Sequence, residues 1–106
     1  MEDLTQEEWV EQLATDENAV VLDVRTDAEV ADGIIQNAVH LDFYKGQEFV
    51  NNIEALDKSK NYYVYCRSGN RSGQACKLME QLGFENAYNL EGGMLAWTGD
   101  VVSLKS

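Results

Sequence analysis

Short apolar runs alternate along this chain with segments in which apolar residues recur at helical spacing. Four of the runs have the length of buried strands, at 19–24, 38–41, 62–65 and 87–90. Three- and four-residue spacing predicts helices at about 5–14, 49–56, 72–82 and 94–97. Strands that alternate with helices predict an α/β domain with a mostly parallel central sheet of about four to five strands, flanked by helices on both faces.

Two helix starts carry a capping box, in which a threonine and a glutamate three residues later each satisfy a backbone amide of the other. Thr5 and Glu8 form one box at the first helix. Thr26 and Glu29 form the second, at a short helix that ends near Gly33. Capping accounts for both glutamates, so we assign neither of them a further role.

Length and composition predict one globular domain over 1–106. The chain has 106 residues, of which 44% are hydrophobic and 25% are charged, close to the averages for soluble domains. The main predicted elements lie within about 5–97, and the tail at 99–106 is left unassigned.

Charge and cysteine content narrow the classes of partner. The formal net charge of −11 disfavours nucleic acid and anionic membranes as partners, and no run approaches the roughly 18 apolar residues of a membrane span. Without a CxxC or a His/Cys cluster, neither a metal nor a cofactor is expected. An acidic N-terminus without an apolar run, together with free cysteines, predicts a cytoplasmic protein.

The loop at 66–71, with the sequence Cys-Arg-Ser-Gly-Asn-Arg, combines a nucleophile with anion-binding features. It follows a predicted strand and precedes a helix that is expected to begin near Ser72. Gly69 can adopt a positive φ and Asn70 tolerates one, so the loop amides can curl into an anion-binding nest. The helix N-terminus and two arginines add positive charge. We therefore expect a lowered pKa and a nucleophilic thiolate at Cys66.

Two chemistries suit a cysteine in such a loop: hydrolysis of phosphate esters and transfer of sulfane sulfur. Cysteine-dependent phosphatases have one residue more between the cysteine and the arginine than the four that separate Cys66 from Arg71. The smaller ring fits one added sulfur on Sγ better than a tetrahedral phosphate. Tyr65 also stands where phosphatases commonly have a histidine. The spacing therefore favours sulfur.

Several motifs in order resemble the rhodanese homology domain over about 5–97. They are 21–25 (VLDVR) with Glu29, 33–38 (GIIQNA), 63–72 (YVYCRSGNRS), and the segment 82–93 with Trp97. In the second motif, Ile34 and Gln36 replace the family's usual histidine and proline. That motif carries fold more than chemistry, so we expect altered loop stiffness and not a loss of activity.

The resemblance implies a thiosulfate sulfurtransferase. Cys66 would take sulfur from a small anionic donor, thiosulfate or another persulfide donor, and hold it as a persulfide until cyanide or a thiol accepts it. A thioredoxin-like protein is one acceptor of that class. The residues expected to bind the donor are Arg67, Ser68, Gly69, Asn70, Arg71 and Ser72. Asp23 and Arg25 are expected to brace the site as an ion pair or hydrogen-bond network.

Two alternatives stay open at this point. One is a phosphatase or arsenate reductase of the same fold, against which the loop length counts. The other is a non-enzymatic persulfide relay or partner-binding module. Cys76, in the helix after the loop, is expected to be a packed core residue and not a resolving thiol.

Overall fold

A computed structural model describes residues 2–103, and its centre is a five-stranded sheet in the order β1-β5-β4-β2-β3. All neighbouring strands pair in parallel. The strands are β1 (Glu2–Leu4), β2 (Ala19–Asp23), β3 (Val39–His40), β4 (Asn61–Tyr65) and β5 (Asn86–Leu90). The helices are α1 (Gln6–Ala14), α2 (Asp27–Val30), α3 (Gln47–Glu54), α4 (Asn70–Gln81) and α5 (Gly93–Ala96), with a 3-10 turn at Phe43–Lys45. The predicted α/β architecture is confirmed.

Successive side chains of β4 point to opposite faces of the sheet, so the core is divided between the two faces. Tyr62 and Val64 pack with apolar residues of α3 and α4 on one face. Tyr63 and Tyr65 pack on the other face, where Trp9 of α1 meets both rings edge-on at 5.8 and 6.3 Å between centroids. Because β4 is covered on both sides, its end is held rigidly where the loop at 66–71 begins.

The sequence pattern missed one strand and misplaced one helix start. In β1 only Leu4 is buried, while Glu2 and Asp3 are exposed, so no apolar run marks this edge strand. It exists because it pairs in register with β5, with Leu4 opposite Leu90. Helix α4 begins at Asn70 and not near Ser72, since Gly69 ends the turn two residues earlier than expected.

The tail that the sequence left unassigned is partly placed. Val102 pairs with Ile34 in an isolated antiparallel bridge, with both backbone hydrogen bonds at 2.8 Å. The bridge ties the segment after α5 to the connection between α2 and β3. Residues 104–106 of the tail lie outside the described part of the chain.

Candidate active site

Cys66 directly follows β4, at the carboxyl edge of the sheet, where ligands bind in parallel α/β folds. The chain turns over 67–69 and enters α4 at Asn70. Gly69 makes this turn with a φ of 97°, a left-handed conformation that costs glycine little. The turn brings the first amides of α4 back toward the sulfur.

Hydrogen-bond donors converge on the sulfur of Cys66. The Gly69 amide lies 3.1 Å from Sγ, the Ser72 amide 3.4 Å and the Ser72 hydroxyl 3.3 Å. Burial disfavours the thiolate, but the side chain and amide of Ser72, together with the amides of Gly69 and Ser68, outweigh it. The net effect lowers the pKa of Cys66, although the residue has no solvent exposure.

The start of α5 binds the first two carbonyls of the loop. The Met94 amide donates to the Cys66 carbonyl at 3.0 Å, and the Leu95 amide donates to the Arg67 carbonyl at 2.9 Å. A Cβ atom at Gly93 would lie 2.6 Å from both carbonyl oxygens, so only glycine permits this approach. These contacts hold the backbone of Cys66 and Arg67 against the start of α5.

Arg71 is bound by Glu29, a contact that the sequence did not indicate. Two parallel hydrogen bonds of 2.7 and 2.9 Å join the guanidinium to the carboxylate, and the guanidinium also lies 5.2 Å from the centre of the Tyr44 ring. The hydrogen bonds from Arg71 lower the pKa of Glu29 to about 2. The Thr26 cap adds to this effect and burial opposes it.

Glu29 therefore has a second role, besides the capping box with Thr26 that the sequence predicted. Its Oε1 accepts from the Thr26 amide at 3.0 Å as well as from Arg71. The pair joins positions 42 residues apart, and no local pattern reports a contact of that range. Glu29 neutralises much of the formal charge that Arg71 was expected to offer a donor.

Arg67 and Asn70 line two different cavities. Arg67 is exposed and lines a depression of about 360 Å³ together with Arg25, Glu29, Asp32, Met94 and Leu95. Asn70 lines a different cavity, of about 270 Å³, beside Asp3 and Gly73. Two arginines and two carboxylates line the depression, and Arg67 is its exposed cation.

Asp23 and Arg25 form a buried ion pair behind this depression. The Arg25 Nη2 lies 2.7 Å from the Asp23 carboxylate and 2.7 Å from the Gly33 carbonyl. Asp23 has no solvent exposure and Arg25 is 5% exposed, so each charge relies on the other. The pair anchors the segment that carries α2, and with it Glu29.

Asn89 of β5 is a further polar residue at the site that the sequence did not single out. Its Oδ1 accepts a short hydrogen bond from the Ser72 hydroxyl, and its Nδ2 donates to the Gly69 carbonyl at 3.0 Å. Its signal in the sequence is weak: a polar residue within a predicted buried strand.

The expectation of no metal stays a prediction, and within residues 2–103 no cluster of three His, Cys, Asp or Glu side chains could hold one.

Comparison with known proteins agrees with this architecture. The family model of the rhodanese-like domain matches residues 6–100. The chain belongs to the rhodanese-like domain family. A rhodanese-like domain protein from Staphylococcus aureus superposes with a TM-score of 0.82 at 33% identity, over 97% of this chain and 98% of that one. The family resemblance read from the sequence motifs is therefore confirmed.

Two relatives of similar length carry sulfurtransferase names. YtwF of Bacillus subtilis (strain 168), named provisionally as a sulfurtransferase, is 43% identical over 90 residues, or 85% of this chain and 84% of that protein. A protein of Allochromatium vinosum named "Sulfurtransferase" is 35% identical and covers 90% of this chain and 86% of its own length. These relatives support a rhodanese-type sulfurtransferase.

Longer relatives carry another name. A tRNA uridine(34) hydroxylase of Cupriavidus taiwanensis is 38% identical over 99 residues, but the match spans only 35% of that protein.

Within residues 2–103, no helix is both long enough and apolar enough to cross a membrane.

Proposed function

We propose that this domain transfers sulfane sulfur through a persulfide on Cys66. The observation that carries the proposal is the convergence of the Gly69 amide and both donors of Ser72 on Sγ. Such donors stabilise a thiolate before the reaction and anionic sulfur after it. Belonging to a family with sulfurtransferase-named relatives supports the same chemistry.

In the first half-reaction the Cys66 thiolate attacks the outer sulfur of the donor. With thiosulfate, a new S–S bond forms on Sγ, the S–S bond of the donor breaks, and sulfite leaves with the electron pair. The negative charge of the thiolate passes to the terminal sulfur of the persulfide. The loop amides and the exposed guanidinium of Arg67 are the groups proposed to orient the anionic donor.

In the second half-reaction an acceptor removes the terminal sulfur. Cyanide or a thiolate attacks that sulfur, the S–S bond to Sγ breaks, and its electron pair returns to Sγ. Thiocyanate or a new persulfide leaves, and the Cys66 thiolate is restored. A thioredoxin-like protein would present a suitable thiol.

The loop geometry supports sulfur over phosphate as the group transferred. The Gly69 amide already lies at hydrogen-bond distance from Sγ, and Arg71 is occupied by Glu29. A phosphatase would need the arginine that closes the loop to be free to hold the phosphate oxygens, and in this loop that arginine is Arg71. A net charge of −11 opposes RNA binding, which argues against the activity that the longer relatives' name gives them.

The test is mass spectrometry of the native chain after incubation with thiosulfate. We expect a mass increase of one sulfur atom, located on the peptide that contains Cys66 and reversed by cyanide with release of thiocyanate. Cys66→Ser should carry no added sulfur. Cys76→Ala is the matched control and should carry as much as the unchanged chain. Hydrolysis of an aryl phosphate without any adduct on Cys66 would overturn the proposal.

A further inference from the structure

The Ser72 hydroxyl has one proton and two acceptors within reach. Its Oγ lies 3.3 Å from the Cys66 sulfur and forms a short hydrogen bond with Oδ1 of Asn89. A serine hydroxyl can donate only once. Ser72 therefore cannot serve the thiolate and Asn89 at the same time.

The orientation of the Asn89 amide is determined by two other acceptors. Its Nδ2 donates to the Asp3 carboxylate at 2.9 Å and to the Gly69 carbonyl at 3.0 Å. Both partners lack a proton to give, so the nitrogen must face them and the oxygen must face Ser72. Flipping the amide would break both bonds, and Asn89 is 6% exposed, with little water available to replace them.

We propose that Asn89 is a positioning residue that competes with Cys66 for the Ser72 proton. While the sulfur is uncharged, Ser72 donates to Asn89, and when charge develops on Sγ, the proton turns to the sulfur. The competition makes the hydroxyl a donor that responds to charge instead of one permanently committed to the sulfur.

The consequence for turnover rests on the proposed function. In the persulfide, the negative charge lies on the terminal sulfur and Sγ is neutral, so Ser72 donates to Asn89. When the acceptor attacks and the S–S bond breaks, the electron pair arrives on Sγ and the Ser72 proton turns toward it. The donor thus acts more strongly on the departing thiolate than on the ground state, which is the condition for accelerating that step.

Other charged groups near the sulfur are few among the described residues. Arg71 and the Cys76 thiol both interact electrostatically with Cys66, and Asp3, which accepts a hydrogen bond from Asn89, acts on Cys76. Arg71 is paired with Glu29, and burial chiefly raises the pKa of Cys76 to about 12. Cys76 stays a thiol in the range where Cys66 titrates.

The test is a titration of Cys66, followed by the ultraviolet absorbance of the thiolate and by the pH dependence of alkylation. Ser72→Ala removes a donor and should raise the measured pKa by about one pH unit. Asn89→Leu keeps the side-chain shape but removes the competing oxygen. It should lower the measured pKa of Cys66 by about half a unit, whereas Ser72→Ala raises it.

The double variant separates competition from a merely structural role. In the Ser72→Ala background there is no proton to compete for, so Asn89→Leu should leave the pKa unchanged. Equal shifts in both backgrounds, or a rise in the single variant, would overturn the inference.

A second variant covers the case in which Asn89→Leu does not fold. Asn89→Asp keeps an acceptor facing Ser72 and strengthens it. It should raise the pKa of Cys66 more when Ser72 is present than in the Ser72→Ala background, whereas equal rises would contradict the competition. The titration needs no sulfur donor, so its outcome is independent of the persulfide test. A missing persulfide with the expected titration would refute the proposed reaction and leave the competition in place.

Discussion

The two cysteines of this domain have nearly equal burial and opposite acid–base behaviour. Cys66 has no solvent exposure and Cys76 is 2% exposed. The pKa of Cys66 is lowered, because donors from Ser72, Gly69 and Ser68 outweigh burial. Burial raises the pKa of Cys76 to about 12, and the charge of Asp3 adds to that effect.

The difference follows from the backbone at each position. Cys76 lies within α4, where the surrounding amides donate to carbonyls of the same helix. Cys66 lies before the helix, where the first amides have no carbonyl of an earlier turn to reach. Burial alone therefore disfavours the thiolate, and at Cys66 the Ser72 hydroxyl together with uncommitted backbone amides reverses that effect.

The largest expected effect is a difference in alkylation rate between the two thiols. With iodoacetamide at neutral pH, we expect Cys66 to react at least about a hundredfold faster than Cys76, because the rate follows the thiolate fraction. Timed quenching and peptide mass spectrometry measure both rates. The urea-unfolded chain is the control, in which the rates should become similar. Similar rates in the folded chain would contradict the comparison.

Gly93→Ala should displace the loop at 66–71 and so reduce the difference in alkylation rate between Cys66 and Cys76. The added methyl group would lie 2.6 Å from the Cys66 and Arg67 carbonyls, at a φ of +54°. We expect a loss of about 2–4 kcal/mol in the free energy of unfolding by urea titration, and slower alkylation of Cys66.

Gly46→Ala is the matched control for this change. Gly46 has a similar φ of +62° but no atom within 4 Å of the added methyl group. Only its backbone conformation, with a ψ of −122°, disfavours alanine, so it should cost less than Gly93→Ala, by about 1 kcal/mol or more. Equal losses for both variants would show that contact with the loop carbonyls does not matter.

Glu29→Gln should change the electrostatic environment of Cys66 and leave that of Cys76 unchanged. Glu29 holds the Arg71 guanidinium, and that guanidinium interacts with Cys66. We expect a loss of about 1 kcal/mol in the free energy of unfolding at neutral pH. The pKa of Glu29 falls on folding from 4.5 to about 2, so its contribution is complete above pH 4.5 and disappears as the pH falls toward 2.

Urea titrations at several pH values check this prediction. The gap in stability between the unchanged chain and Glu29→Gln should narrow steadily below pH 4.5 and close near pH 2. A gap that stays constant over that range would show that the carboxylate charge of Glu29 contributes nothing.

Cys76→Ala should have the smallest effect on chemistry. We expect sulfur transfer within about twofold of the unchanged chain and a loss of about 1 kcal/mol in stability, since only a buried sulfur atom is removed. Initial rates with thiosulfate and cyanide, with thermal unfolding as the stability measurement, test this. A loss of turnover with the fold intact would assign Cys76 a redox role.

Local patterns predicted most of the fold and the position of the loop. Strand β4 was recognisable because its aromatic and β-branched residues suit a strand covered on both faces. Both capping boxes were recognisable because their partners are three residues apart. Strand β1 was not, because it contains a single buried residue and owes its existence to pairing with β5.

The sequence by itself determined that Cys66 directly follows a buried strand and precedes a turn that glycine can make. From those facts alone, a depressed thiol pKa and a family resemblance could be stated. The partners of the loop were decided only by the tertiary structure: Glu29 on Arg71, Asn89 on Ser72, and the amides of α5 on the loop carbonyls. Each of these contacts joins residues distant along the chain. Spacing rules describe neighbours on one element, and only folding sets which distant polar groups meet.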